Sequence, residues 1–228
     1  MKKLCTAILT ITALTMGSQL LAGPRNPQPP APAPAPVPAL PVLNEDGVLN
    51  LSNLGLGDAG IIAIAPHFPA DIRGLWLDEN NIGPIGAEAI ANNLFRAPDL
   101  NDITLRDNHI GVAGVRALVQ NLPDGFVFLG LSYNNLGDAG AVALAEHPLP
   151  LTLRILNLNG NHIGNAGIIA LANGLQQNPI ANNSILFLSG NEFGAEGIQA
   201  LNAAGYEEMG GLGQWERNVP VAAAGHGH

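Results

Sequence analysis

A chain of 228 residues with 47 % apolar, 12 % charged and 4 % aromatic residues has the make-up of a packed globular protein, not of a disordered one. Nine Lys and Arg against 18 Asp and Glu leave a net charge of −9 with histidine neutral. That sign argues against a nucleic-acid binder, which needs a basic stripe to displace counterions from phosphates, and against electrostatic docking on anionic lipid.

The first 22 residues are laid out as a secretory signal. Lys2 and Lys3 precede an apolar stretch from Leu4 to Met16, and the small residues Ala22 and Gly23 follow. The stretch is shorter than the about 20 residues a bilayer-spanning helix needs, and no later segment qualifies as transmembrane. Cys5 lies at the start of the apolar run, where a lipid-bearing cysteine would lie after it. Cleavage near Ala22 is expected. It removes the one cysteine and both lysines, leaving seven arginines against 18 acidic residues, a net of −11. An exported domain without disulfides stands on its hydrophobic core alone. The short Lys-Lys signal points to a bacterial protein exported to the periplasm, the cell surface or beyond.

Residues 23–42 hold nine of the eighteen prolines. Proline lacks the amide hydrogen and fixes φ, so this arm builds neither helix nor interior strand. It reads as a semi-rigid polyproline II linker, a spacer or a ligand for an aromatic-lined groove.

Residues 43–205 repeat six times. The segments are Leu49-Asn-Leu51-Ser-Asn-Leu54, Leu75-Trp-Leu77-Asp-Glu-Asn80, Ile103-Thr-Leu105-Arg-Asp-Asn108, Leu129-Gly-Leu131-Ser-Tyr-Asn134, Leu156-Asn-Leu158-Asn-Gly-Asn161 and Leu186-Phe-Leu188-Ser-Gly-Asn191. After each comes a Gly-x-x-Gly turn and an Ala/Leu/Ile-rich stretch; the second glycines are Gly60, Gly86, Gly114, Gly140, Gly167 and Gly197. Leu-x-Leu alternation predicts a short strand with its leucines on one face. The asparagine, both donor and acceptor, can satisfy buried backbone groups at the turn, and glycine lets the chain turn sharply. The stretch after it carries apolar residues at helical spacing. One strand–helix unit cannot bury its apolar face alone, so neighbours must stack.

The pattern Leu-x-x-Leu-x-Leu-x-x-Asn is complete in repeats two to five, led by Ile72, Leu100, Phe126 and Leu153. It resembles the leucine-rich-repeat family, in its ribonuclease-inhibitor-like subclass. The resemblance implies an α/β fold: a right-handed leucine-rich-repeat solenoid, or horseshoe, with a parallel sheet on the concave face and helices on the convex face. Leu54 in place of asparagine and Asn183 at the leading apolar position mark the two ends. Residues 206–228 leave the pattern. Tyr206, Met209, Leu212 and Trp215 are expected to cap the last repeat, with a flexible tail behind them.

No catalytic residues emerge. A mature chain without cysteine or lysine has no thiolate and no Schiff base, and its glycines follow the repeat period instead of a phosphate-cradling motif. His109 and His162 share a turn position two repeats apart, on the order of 10 Å, too far to share one ion. Asp58 and Asp138 read as helix N-terminal residues favoured by the dipole, because the equivalent sites hold Pro84 and Val112. No cofactor and no metal site are therefore expected.

The expected partner-binding residues lie between the buried leucines, on the concave face. They are Trp76, Asp78 and Glu79 in repeat two and Arg106 and Asp107 in repeat three. Phe128 and Tyr133 follow in repeat four, Ile155 and Asn157 in repeat five, and Ile185 and Phe187 in repeat six. Clustered outward aromatic groups mark interaction surfaces. Phe128, Tyr133, Ile155, Ile185 and Phe187 are expected to form one patch, beside an acidic half that steers a basic partner. The resulting expectation is a monomeric, non-catalytic scaffold that binds a protein partner, bacterial or host. The alternatives are a secreted effector regulating a host enzyme (a small-GTPase or ubiquitin-pathway adaptor) and a structural envelope spacer.

Overall fold

The computed structural model describes residues 42–211 and 213–217. The signal expected over 1–22, the proline-rich arm up to residue 41, Leu212 and the end of the tail lie outside the described residues.

Strands and helices alternate: β1 (Val48–Asn50), α1 (Gly57–Ile64), β2 (Gly74–Trp76), α2 (Pro84–Ala91), β3 (Asp102–Thr104), α3 (Gly111–Gln120) and β4 (Phe128–Gly130). The series continues with α4 (Gly137–Ala145), β5 (Ile155–Asn157), α5 (Asn165–Gln177), β6 (Ile185–Phe187), α6 (Ala195–Ala203), β7 (Tyr206–Met209) and β8 (Gln214–Arg217). Strands β1 to β6 pair in parallel and in sequence order, so Leu49, Leu75, Ile103, Leu129, Leu156 and Leu186 form one row across the sheet. This is the α/β solenoid that the repeats predict.

The row is fully buried, as is the second row of Leu51, Leu77, Leu105, Leu131, Leu158 and Leu188. Ile61, Ile64, Ile90, Val115, Leu118, Ile168 and Leu171 meet them from the helices within one continuous core. Each such side chain contributes about 1.5–3 kcal/mol on burial, so the stack depends on every repeat having a neighbour. The leading residues Ile72, Leu100, Phe126 and Leu153 close the core on the side away from the turn.

The asparagines stitch the repeats together. Asn134 Nδ2 donates to the carbonyls of Leu105 (2.8 Å), Leu131 (3.1 Å) and Ser132 (3.1 Å), and Asn134 Oδ1 accepts from Ile110 N–H. Asn80, Asn108 and Asn161 are buried in the same way. Each reaches back to a carbonyl of the repeat before it, as Asn80 does to Leu51. The first repeat has no predecessor. Leu54 stands there instead and is 56 % exposed.

The second glycines are not turn-formers. Gly86, Gly114, Gly140 and Gly167 lie inside helices, where a Cβ would come within 2.5 Å of Leu136 Cβ (at Gly140) or 2.7 Å of Ala87 Cβ (at Gly114). Close approach, not backbone freedom, requires them.

After α6 the chain does not form a seventh parallel unit. Strands β7 and β8 make an antiparallel hairpin, and β8 adds to β6, extending the sheet in the order β6-β8-β7. Trp215 stands opposite Leu186 and continues the leucine row, 2 % exposed. Tyr206 is fully buried, its hydroxyl 3.1 Å from Ser184 Oγ. Met209 remains exposed.

Candidate functional site

Because the leucines of each strand face the helices, the alternate residues stand on the open face of the sheet. Strand register sets them in rows. One row runs Val48, Gly74, Asp102, Phe128, Ile155, Ile185, Glu216 and Glu207. The next runs Asn50, Trp76, Thr104, Gly130, Asn157, Phe187, Gln214 and Met209.

The first row brings Phe128, Ile155 and Ile185 side by side, and Phe187 stands diagonally beside them; all four are half-buried. Gly130 leaves room for the Phe128 ring, since a Cβ there would come within 3.0 Å of Phe128 Cε1. Asn157 lies between Gly130 and Phe187, and its Oδ1 accepts from Asn159 N–H.

Tyr133 does not join this patch. Glu79, Asp107 and Tyr133 occupy a turn position with φ of +57°, +51° and +57°, where repeats five and six carry Gly160 and Gly190. The Tyr133 ring lies against Gly160, whose Cβ position is 2.5 Å from ring carbons, and Arg106 Cζ sits 5.4 Å from its centroid. Arg106 also pairs with Asp107 at 2.9 Å. Asp78 is partly structural: its Oδ1 accepts from Arg106 N–H at 2.8 Å, which ties the turn of one repeat to the next. Trp76 is 36 % exposed beside these charges.

Asp102 is an additional member of the site. Burial pushes its carboxyl above the ordinary value of 3.8; a hydrogen bond from the Trp76 side chain works against that rise, and the Asp78 carboxylate adds to it. Among the described residues its Oδ1 has no hydrogen-bond partner. The strand alternation already places Asp102 on this face, but Glu216 was hidden from the sequence, because it sits in the hairpin that leaves the repeat. The Gln214-Trp215-Glu216 alternation, with Trp215 inward, is the signal that could have placed it.

Among the described residues no three His, Cys, Asp or Glu side chains gather closely enough to hold a metal ion. His162 Nδ1 contacts Glu192 Oε1 at 2.7 Å on the exposed turn side, while His226 and His228 lie outside the described residues. No helix among the described residues is long and apolar enough to cross a membrane.

A family described as Leucine Rich repeat matches residues 128–145 and 150–172. Those segments hold β4 with α4 and β5 with the first part of α5, the fourth and fifth of the six repeats. Over those two repeats the chain is similar to leucine-rich-repeat proteins. No curated protein matches it. That similarity suggests a scaffold for protein binding, and the open face is where the chain leaves large side chains in reach of solvent.

Proposed function

We propose that the protein is an exported, non-catalytic scaffold that engages a protein partner through the open face of its sheet. The observation that carries this reading is the run Phe128, Ile155 and Ile185 with Phe187 beside it, half-buried on a sheet whose opposite face is fully packed. Apolar groups kept in place by a core they do not belong to can anchor a partner at small ordering cost. The charged turn residues Asp78, Glu79, Arg106 and Asp107 flank them and suit steering of the encounter. A secreted regulator of a host enzyme would use the same face; an envelope spacer would not need it.

Export is supported by the layout of residues 1–22, and a bacterial origin by the Lys-Lys signal. Intact-mass measurement on cell fractions should find a chain beginning near Gly23; an exported chain still carrying Met1 would overturn cleavage there.

Partner binding is tested by capturing proteins from envelope and host extracts on the immobilised chain and measuring their dissociation. Phe128→Ala with Phe187→Ala should speed dissociation and leave the circular dichroism spectrum unchanged, because anchors govern mainly the off-rate. Asp78→Asn with Asp107→Asn should mainly slow association. Captured proteins indifferent to both pairs would place the binding surface elsewhere.

A further inference from the structure

The apolar run ends at a carboxylate on each side. In the row Asp102, Phe128, Ile155, Ile185, Glu216, the three apolar side chains lie between Asp102 on β3 and Glu216 on β8. Asp102 is half-buried, with its Oδ1 enclosed and without a hydrogen-bond partner among the described residues, and Glu216 makes no ion pair with a described residue. Arg106, beside the acidic end of this face, is already held by Asp107. The trough therefore presents apolar surface flanked by negative charge at both ends, on a chain whose net charge is −9.

The occupant's backbone is constrained as well. Every strand from β2 to β6 is paired on both sides, so the trough offers side chains and no free strand edge. A segment lying across it must satisfy its own amides and carbonyls, which an α-helix does and an extended strand does not. Four strand-to-strand steps of about 4.8 Å separate Asp102 from Glu216, roughly 19 Å. At 1.5 Å per residue that is about 13 helical residues, and residues about 11 or 14 apart share a helix face.

We propose that the trough seats an amphipathic α-helix of a partner protein, with an apolar stripe on Phe128, Ile155, Ile185 and Phe187 and an Arg or Lys at each end of the stripe against Asp102 and Glu216. This rests on the scaffold reading above and names the chemistry of the partner at that face.

Two designed, fluorescently labelled helical peptides of about 18 residues test it against the full chain. Both carry Leu at i+4, i+7 and i+11; one has Arg at i and i+14, the other Glu at the same places. At low salt the Arg-ended peptide should bind about tenfold more tightly than the Glu-ended one, the sum of two rim attractions gained and two repulsions avoided. Asp102→Asn with Glu216→Gln should bring that ratio close to one without weakening the Glu-ended peptide. Ile155→Ser should weaken both peptides alike, with the circular dichroism spectrum confirming the fold. Equal binding of the two peptides to the unaltered chain, a preference that survives the double variant, or no binding of either would overturn the inference. The scaffold reading has a separate outcome. If neither peptide binds while Phe128→Ala with Phe187→Ala still releases captured proteins, the face is a protein-binding surface that does not recognise helices.

Discussion

Asp58 Oδ1 accepts the amide hydrogens of Gly83 at 2.6 Å and of Gly86 at 2.9 Å, so a carboxylate in the first turn of α1 caps the N-terminus of α2 in the next repeat. Asp138 does the same for Gly164 and Gly167, and Asn165 Oδ1 for Gly194 and Gly197. Where the preceding repeat offers Pro84 or Val112, the following helix starts differently: Gly111 and Gly137 adopt φ of +61° and +59°. Each cap position therefore sets the backbone of the next repeat's turn, which goes beyond the helix-dipole role expected for Asp58 and Asp138. Asp138→Ala should cost about 1–2 kcal/mol, the usual loss for a helix cap, and Asp138→Asn should retain most of it. Urea unfolding midpoints of the three proteins check this.

The two glycine classes should respond differently to alanine. Gly137 has φ +59°, so Gly137→Ala places a Cβ in the left-handed region at about 1–2 kcal/mol. Gly194 has a negative φ of −125° and nothing within 4 Å of its Cβ position, so Gly194→Ala should be neutral or slightly stabilising. Equal losses in thermal unfolding would contradict this assignment.

Asn134→Ala should cost roughly 1–3 kcal/mol, because the buried Ile110 N–H would lose its acceptor and the carbonyls of Leu105, Leu131 and Ser132 would each lose one of two donors. Asn135, one residue on, is exposed but adopts φ +52°. From the sequence its alanine variant looks harmless; the backbone makes it mildly costly, since asparagine tolerates this region better than alanine. Asn135→Gly is the neutral control, and denaturation midpoints of the variants report the order.

Burial raises the Asp102 carboxyl above its usual range, so the folded chain favours the neutral form relative to the unfolded one. That contribution to stability is complete below the unfolded value of 3.8 and is lost as pH rises through the raised folded value. Asp102→Asn, always neutral, should therefore melt at a higher temperature than the unaltered chain at about pH 7. The advantage should fade at about pH 3, where both carry a neutral group. A variant less stable at neutral pH would show that the Asp102 charge is satisfied in the fold.

The sequence by itself determined the repeat, its register and the roles of its buried residues. Leucines at i and i+2 can face only one way in a strand. An asparagine recurring at one position after them can serve only the turn between stacked units, and its replacement by Leu54 already marked an end. These are local rules applied six times, so one sequence holds six readings of the same environment. The tertiary structure alone decided what depends on the neighbouring repeat or on leaving the pattern. Asp58 binds amides 25 and 28 residues away, and Tyr133 rests on Gly160 instead of joining the apolar row. Trp215 enters the leucine row only because the last strands turn antiparallel, and the same reversal carries Glu216 to the open face. Asp102 becomes notable through what surrounds it on adjacent strands, since burial and the nearness of Asp78 and Trp76 arise only when the strands are side by side. Periodicity encodes which face a residue occupies; how far its side chain reaches, and onto what, is set by the stacked neighbours.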